Sequence, residues 1–201
     1  MITPNSQPTA TLTLASQQRL ARTCGTGDPA AWTALVHAHS RRLLTLAHWL
    51  GGSGVVAERA VTETFIAAAR AWERADPSLP LAVWLARACY KLTERAPSGP
   101  PGQSAEAAAF LDAGHRDVAA GLAELPFELR AAVVLRCVVC FDAQDAATIM
   151  AVPHTDFEQR LLGGLALLRA KLSAREGEST VALLRPAARV LPLATTGTLG
   201  T

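Results

Sequence analysis

The stretch AVPHTDFEQRLLGGLALLRAKL, residues 151–172, decides how the whole chain is read. Its first half is punctuated like the turn and second helix of a helix-turn-helix. Thr155 and Glu158 have capping-box spacing, so the helix is expected to start at Thr155 and to run to about Arg175. The second half lacks most of the positive charge that a DNA-reading helix carries. The chain therefore poses a question: a DNA reader, or the scaffold of one put to another use.

Upstream of this stretch the signals are helical throughout. The 201 residues are half hydrophobic, which supports a substantial core in each half of the chain. Alanine and leucine dominate, aromatics are few, and β-branched residues rarely alternate with polar ones, which favours an all-α protein. GTGDPAAW reads as a helix start, with Asp28 as cap and Pro29 in the first turn. Trp32, Leu35, Val36, His39, Leu43, Leu46 and Leu50 then recur at three and four, one buried face ended by GGSG at 51–54. A second helix from near Val55 carries Val61, Phe65, Ala68, Ala69 and Trp72, and ADPSLP at 75–80 stops it. A third runs from Leu81 to about Glu94.

APSGPPGQSAE, residues 96–106, holds three prolines and two glycines and reads as a linker. Helices are expected beyond it at about 105–125, from LPFELR, and at 142–150 before the opening stretch. The expected architecture is two small helical domains joined by a Pro/Gly-rich linker, the second ending in a helix-turn-helix. Residues 1–15 form a flexible lead, 16–95 the first domain, 96–104 the linker, 105–175 the second domain, and 176–201 an apolar tail of broken periodicity.

Charge and chemistry narrow the function. Residues 19–95 carry ten Lys/Arg and six Asp/Glu (net +4), residues 96–154 three and seven (net −4), and residues 155–201 six and four (net +2). A weakly basic first half suits a polyanion partner without being a dense basic face. No signal peptide or bilayer-spanning run is visible, so the reading is a cytoplasmic protein with no membrane partner. Cys137 and Cys140 have CxxC spacing, but no second ligand pair follows. The two read as small buried hydrophobes on one helix face, with no metal and no cofactor expected. The five histidines are scattered, and no phosphate loop, zinc-protease motif or nucleophile–base pair occurs, so an enzyme is not expected.

Two helical blocks around a linker, the second closing in a helix-turn-helix, resemble a bacterial RNA polymerase sigma factor of the extracytoplasmic-function type. The resemblance covers about residues 25–175. GDPAAWTALVHAHSRRLLTLAHWL is similar to the family's opening helix. AERAVTETFIAAARAW resembles the segment that grips the polymerase clamp helices, and PSLPLAVWLARACYKLTER the segment that melts and reads the downstream promoter element. From Leu125-Pro126 through Arg130, Leu135-Arg136, Ala147, Ile149, Val152-Pro153, Arg160-Leu161 and Leu168-Arg169, the second block follows the domain that binds the upstream element.

The resemblance implies a transcription-initiation role with core RNA polymerase, promoter DNA and a regulatory protein such as an anti-sigma factor as partners. Glu58, Glu63 and Phe65, near one side of a helix, match polymerase-contact positions. Arg87, Lys91 and Arg95, spaced by four, and Thr155, Gln159 and Arg160 match DNA-contact positions. Four departures stand out. Arg59 replaces a usual Asp on the docking face, Glu158 a usual Lys, and Gly163 and Leu165 usual arginines. At about 1–2 kcal/mol per lost contact, the three changes in the last helix would be expected to weaken DNA binding by several kcal/mol. A protein-interaction module that no longer reads promoters is the alternative expectation.

Overall fold

A computed structural model describes residues 22–51, 53–72, 79–95 and 113–173. The flexible lead (1–15), the linker (96–104) and the tail (176–201) of the sequence reading lie outside the described residues, as does the expected helical turn at 105–112. Every regular element among the described residues is helical.

Helix α1, Pro29–Gly51, starts where the sequence predicts: the Asp28 carboxylate accepts from the Ala30 amide at 2.9 Å and Pro29 takes the first helical position. Leu35, Leu46 and Leu50 are fully buried, each contributing about 1.5–3 kcal/mol of burial. Val36, expected on the buried face, is 37% exposed and lies with Trp32 over a shallow depression. Helix α2, Gly54–Arg70, is capped by Ser53, whose hydroxyl accepts from the Val56 amide at 3.2 Å. Ala69, also expected inside, is exposed. Helix α3, Leu81–Arg95, completes the three-helix block, which buries Val83, Leu85 and Cys89. Trp72 links the open end, meeting Trp32 edge-on at 4.9 Å and Trp84 at 5.7 Å.

His39 sits inside this block, 8% exposed, and its Nε2 finds no hydrogen-bond partner. Burial first, and the Arg42 charge second, lower its pKa; burial lowers that of His48 as well. Below the ordinary imidazole pKa near 6.5, the unfolded chain gains protons that the folded chain refuses, so stability is present above that pH and is lost as pH falls through it. Urea unfolding of the full chain is expected to show stability declining from pH 7 to pH 5, and His39→Leu should flatten that decline. An identical pH slope in the variant would exclude His39 as the cause.

The second block begins with α4, Ala113–Ala123, and α5, Phe127–Val133, opened by Pro126. A π-helical turn, Val134–Val138, continues α5. The Val139 amide reaches back to the Val134 carbonyl at 2.9 Å and the Phe141 amide to Leu135 at 2.9 Å. This wider turn corrects the reading of the cysteines. The π-turn ends at Val138, and Cys140 lies beyond it in the left-handed region (φ 61°), so Cys137 is buried whereas Cys140 is exposed. Helix α6, Ala143–Met150, is capped by Asp142, whose carboxylate accepts from the Asp145 amide at 2.7 Å.

Helix α7, His154–Leu172, starts one residue earlier than the capping box implies. Pro153 is its N-cap, and the Thr155 hydroxyl turns to Asp156 at 3.5 Å instead of closing a box with Glu158. The turn between α6 and α7 is made by Ala151 in the left-handed region (φ 56°), with the Val152 amide bonded to the Ala147 carbonyl at 3.1 Å.

The two blocks also touch. Helix α6 packs on α3, and the π-turn packs on α1. Arg42 of α1 donates to the Val139 carbonyl at 3.2 Å and lies 3.7 Å over the Phe141 ring. The Tyr90 and Phe127 rings approach to 5.5 Å. Arg42 thus fits the widened π-turn with a charge-assisted hydrogen bond and a cation–π contact together.

Candidate functional site

Three surfaces carry the residues singled out in the sequence. On α2, Glu58 is exposed and Phe65 is half-buried against the core. At about 100° per residue, Glu58 and Phe65 lie within about 20° of each other, while Glu63 stands about 140° away. Glu63 faces Arg59 instead, accepting from its Nε at 2.8 Å. The Arg that departs from the family pattern therefore engages one of the acids expected to contact a partner, and Glu63 in turn raises the Arg59 pKa. Among the three, Glu58 and Phe65 share a face and Glu63 does not.

On α3, Arg87, Lys91 and Arg95 form one cationic stripe. Arg87 is half-buried, and Lys91 and Arg95 are exposed. Ala86, Cys89, Tyr90 and Thr93 are buried on the opposite side, against α1, α2 and the second block. Tyr90 shows how enclosed that side is: burial, reinforced by the neighbouring Glu94 carboxylate, pushes its hydroxyl up to about 12. The stripe is thus held by a helix fixed on its far side.

On α7, Thr155 and Gln159 are exposed one helical turn apart, but Arg160 is not beside them. Its guanidinium turns to the Glu128 carboxylate of α5 at 3.9 Å, with 29% of its side chain exposed. Sequence spacing gives no sign of this pair, whose members lie 32 residues apart (160 − 128). Leu165, at a usual Arg position, packs against the core; the exposed apolar side chains are Leu162 (67%) and Leu167 (46%). The acids remain outward, Asp156 and Glu158 both being exposed.

The adjacent glycines do different things. A side chain on Gly163 would meet only Leu129, at an ordinary 3.9 Å. A Cβ on Gly164 would stand 2.8 Å from the Val133 side chain and 2.9 Å from the Leu129 carbonyl. Gly164 is the point at which α5 and α7 come close enough to touch backbone to backbone. Gly163 has no such packing reason, so its helix penalty of about 1 kcal/mol relative to Ala is unrelieved. Among the described residues no cluster of His, Cys, Asp or Glu has the makings of a metal site, and no helix is long and apolar enough to cross a membrane.

Residues 35–92, which hold all of α2 and most of α1 and α3, match the family model for sigma-70 region 2. Comparison with curated proteins gives no significant match. Among solved structures, CnrH in complex with the cytosolic domain of CnrY is similar at 25% identity and a TM-score of 0.65, over 80% of this chain and 99% of that one. That likeness extends past the region 2 match into the helix-turn-helix block. The chain thus carries a segment similar to sigma-70 region 2, within a helical fold similar to that of CnrH over nearly the whole length of CnrH.

Proposed function

We propose that this protein is a transcription-initiation factor of the extracytoplasmic-function type that binds core RNA polymerase and directs its use of promoters. The observation that carries the reading is the region 2 match over residues 35–92, on a helical block whose α2 exposes Glu58 and the Arg59–Glu63 pair and whose α3 carries a cationic stripe. In this reading Glu58, Glu63 and Phe65 contact polymerase. Arg87, Lys91 and Arg95 contact the downstream promoter element, and Thr155, Gln159 and Arg160 the upstream one. Residues 16–95 and 105–175 act as the two domains, the factor works in the cytoplasm, and it catalyses nothing itself. CnrH is described in complex with a cytosolic domain, which supports a regulatory protein as a further partner here.

The Arg59–Glu63 pair supplies the test. Exposed charges act furthest at low salt, so Glu63→Lys is expected to weaken association with core polymerase several-fold at low ionic strength and less at high. Arg59→Asp, which restores the acid usual in the family, should strengthen it. Equal affinity of wild type and both variants at low salt would remove the docking face from α2.

A second reading has its own observation. On α7, Arg160 is engaged by Glu128, Asp156 and Glu158 face outward, Glu158 at a position where a Lys is expected, and the exposed Leu162 and Leu167 make the outward side apolar. This favours a second block that meets protein in place of DNA, in a factor that holds polymerase or another regulator without reading an upstream element.

A further inference from the structure

The outward face of α7 is apolar in its C-terminal half. Leu162 and Leu167 are 67% and 46% exposed. Gly163, with no side chain, and exposed Ala166 lie between them, and exposed Ala170 extends the strip. At about 100° per residue these five positions span one side of the helix, leaving a shallow notch between two leucines. At the N-terminal end of that side stands exposed Asp156. Isolated surface leucines need no explanation, but two of them flanking a notch form a surface for another chain segment.

The chain itself supplies a segment that fits. After α7 ends at Leu172, the sequence continues as SAREGESTVALLRPAARVLPLATTGTLGT, residues 173–201. A polar lead, residues 173–180, precedes an apolar run, Val181 to Leu193, that carries Arg185 and Arg189 and no acid. Pro186 and Pro192 favour an extended over a helical path for that run. From Leu167 back to Asp156 along α7 is about 16 Å at 1.5 Å per residue. From Leu183 to Arg189, which face the same side because they lie six residues apart, extended chain spans about 20 Å at 3.3 Å per residue. Leu183 beside Leu167 thus brings Arg189 within side-chain reach of Asp156, and the polar lead is long enough to turn the chain back from Leu172.

We propose that the C-terminal segment 181–193 returns antiparallel along α7 and seats Leu183 in the notch of Leu162, Gly163, Ala166 and Leu167, with Arg189 against Asp156. The face that a promoter-reading helix would turn to DNA is in this chain the dock for its own tail.

Photo-crosslinking on the full chain tests this. A benzophenone amino acid at position 162, already exposed and apolar, is expected to crosslink mainly within residues 181–193, and at least several-fold more than the same group at Glu63 on α2. Adding Leu167→Glu or Asp156→Lys, both at exposed sites with the fold monitored by circular dichroism, should reduce the yield several-fold. A yield unchanged by both substitutions means the tail merely passes by, and overturns the proposal. Mixing isotopically light and heavy chains separates the remaining outcome: crosslinks mainly between light and heavy chains would assign the notch to a second copy and overturn it equally.

Discussion

Gly164→Ala is expected to destabilise the full chain by roughly 1–3 kcal/mol, while Gly163→Ala, one residue earlier, stabilises it by about 0.5–1 kcal/mol. Both substitutions gain the same helix propensity. At Gly164 the new methyl would stand 2.9 Å from the Leu129 carbonyl and 2.8 Å from Val133, so α5 and α7 must move apart or Leu129 must shift its backbone. Close-packed interiors accommodate such an insertion only with strain. At Gly163 the methyl finds ordinary contact at 3.9 Å. Gly164→Val should go further, to a chain that is largely unfolded or loses the packing of its second block. Urea unfolding followed by far-UV circular dichroism reads both, and effects of the same sign at the two glycines would show that helix separation at this point is not as described.

Restoring cations to α7 is expected to produce the largest gain in DNA binding. Leu165 packs inward, so the exposed position to charge is Leu162. The change Glu158→Lys, Leu162→Arg and Gly163→Arg adds four positive charges: two from the reversal at 158 and one from each arginine. The wild-type chain should bind nonspecific duplex weakly at physiological salt. The triple variant should bind at least tenfold tighter, and its log-affinity should fall more steeply with log salt, by about 0.9 for each new phosphate contact. Circular dichroism must accompany the assay, because Gly163→Arg also firms the helix. A variant that binds no better, with its fold intact, would show that α7 does not face DNA in this protein.

How far the sequence carries these conclusions depends on the range of the interaction concerned. Local chemistry is legible: Asp28 and Asp142 cap the helices they are expected to cap, and the all-helical class follows from the periodicity on either side of residues 96–106. Arg59–Glu63 is a four-residue pair and also lies within reach of sequence. Arg160–Glu128 and Arg42–Val139 join residues far apart in the chain, and no periodicity announces them. The π-turn is illegible for another reason. VLRCV has an ordinary helical composition, and the wider turn is met by contacts from Arg42, far away in the chain, so nothing local in the sequence shows that Cys140 leaves the face it would share with Cys137. Gly163-Gly164 reads in sequence as one doubled penalty. Only the approach of α5 separates a structural glycine from a dispensable one.

The central claim is that this chain works on core RNA polymerase, and reconstitution tests it most directly. Purified full-length protein is mixed with core enzyme, the complex is isolated, and it is supplied with fragmented genomic DNA and nucleotides. A stable one-to-one complex is expected, weakened by Glu63→Lys, with transcripts that start at discrete sites absent with core enzyme alone. A complex that forms without discrete transcripts would select the protein-binding reading of α7. No complex with core enzyme at low salt would contradict the account itself.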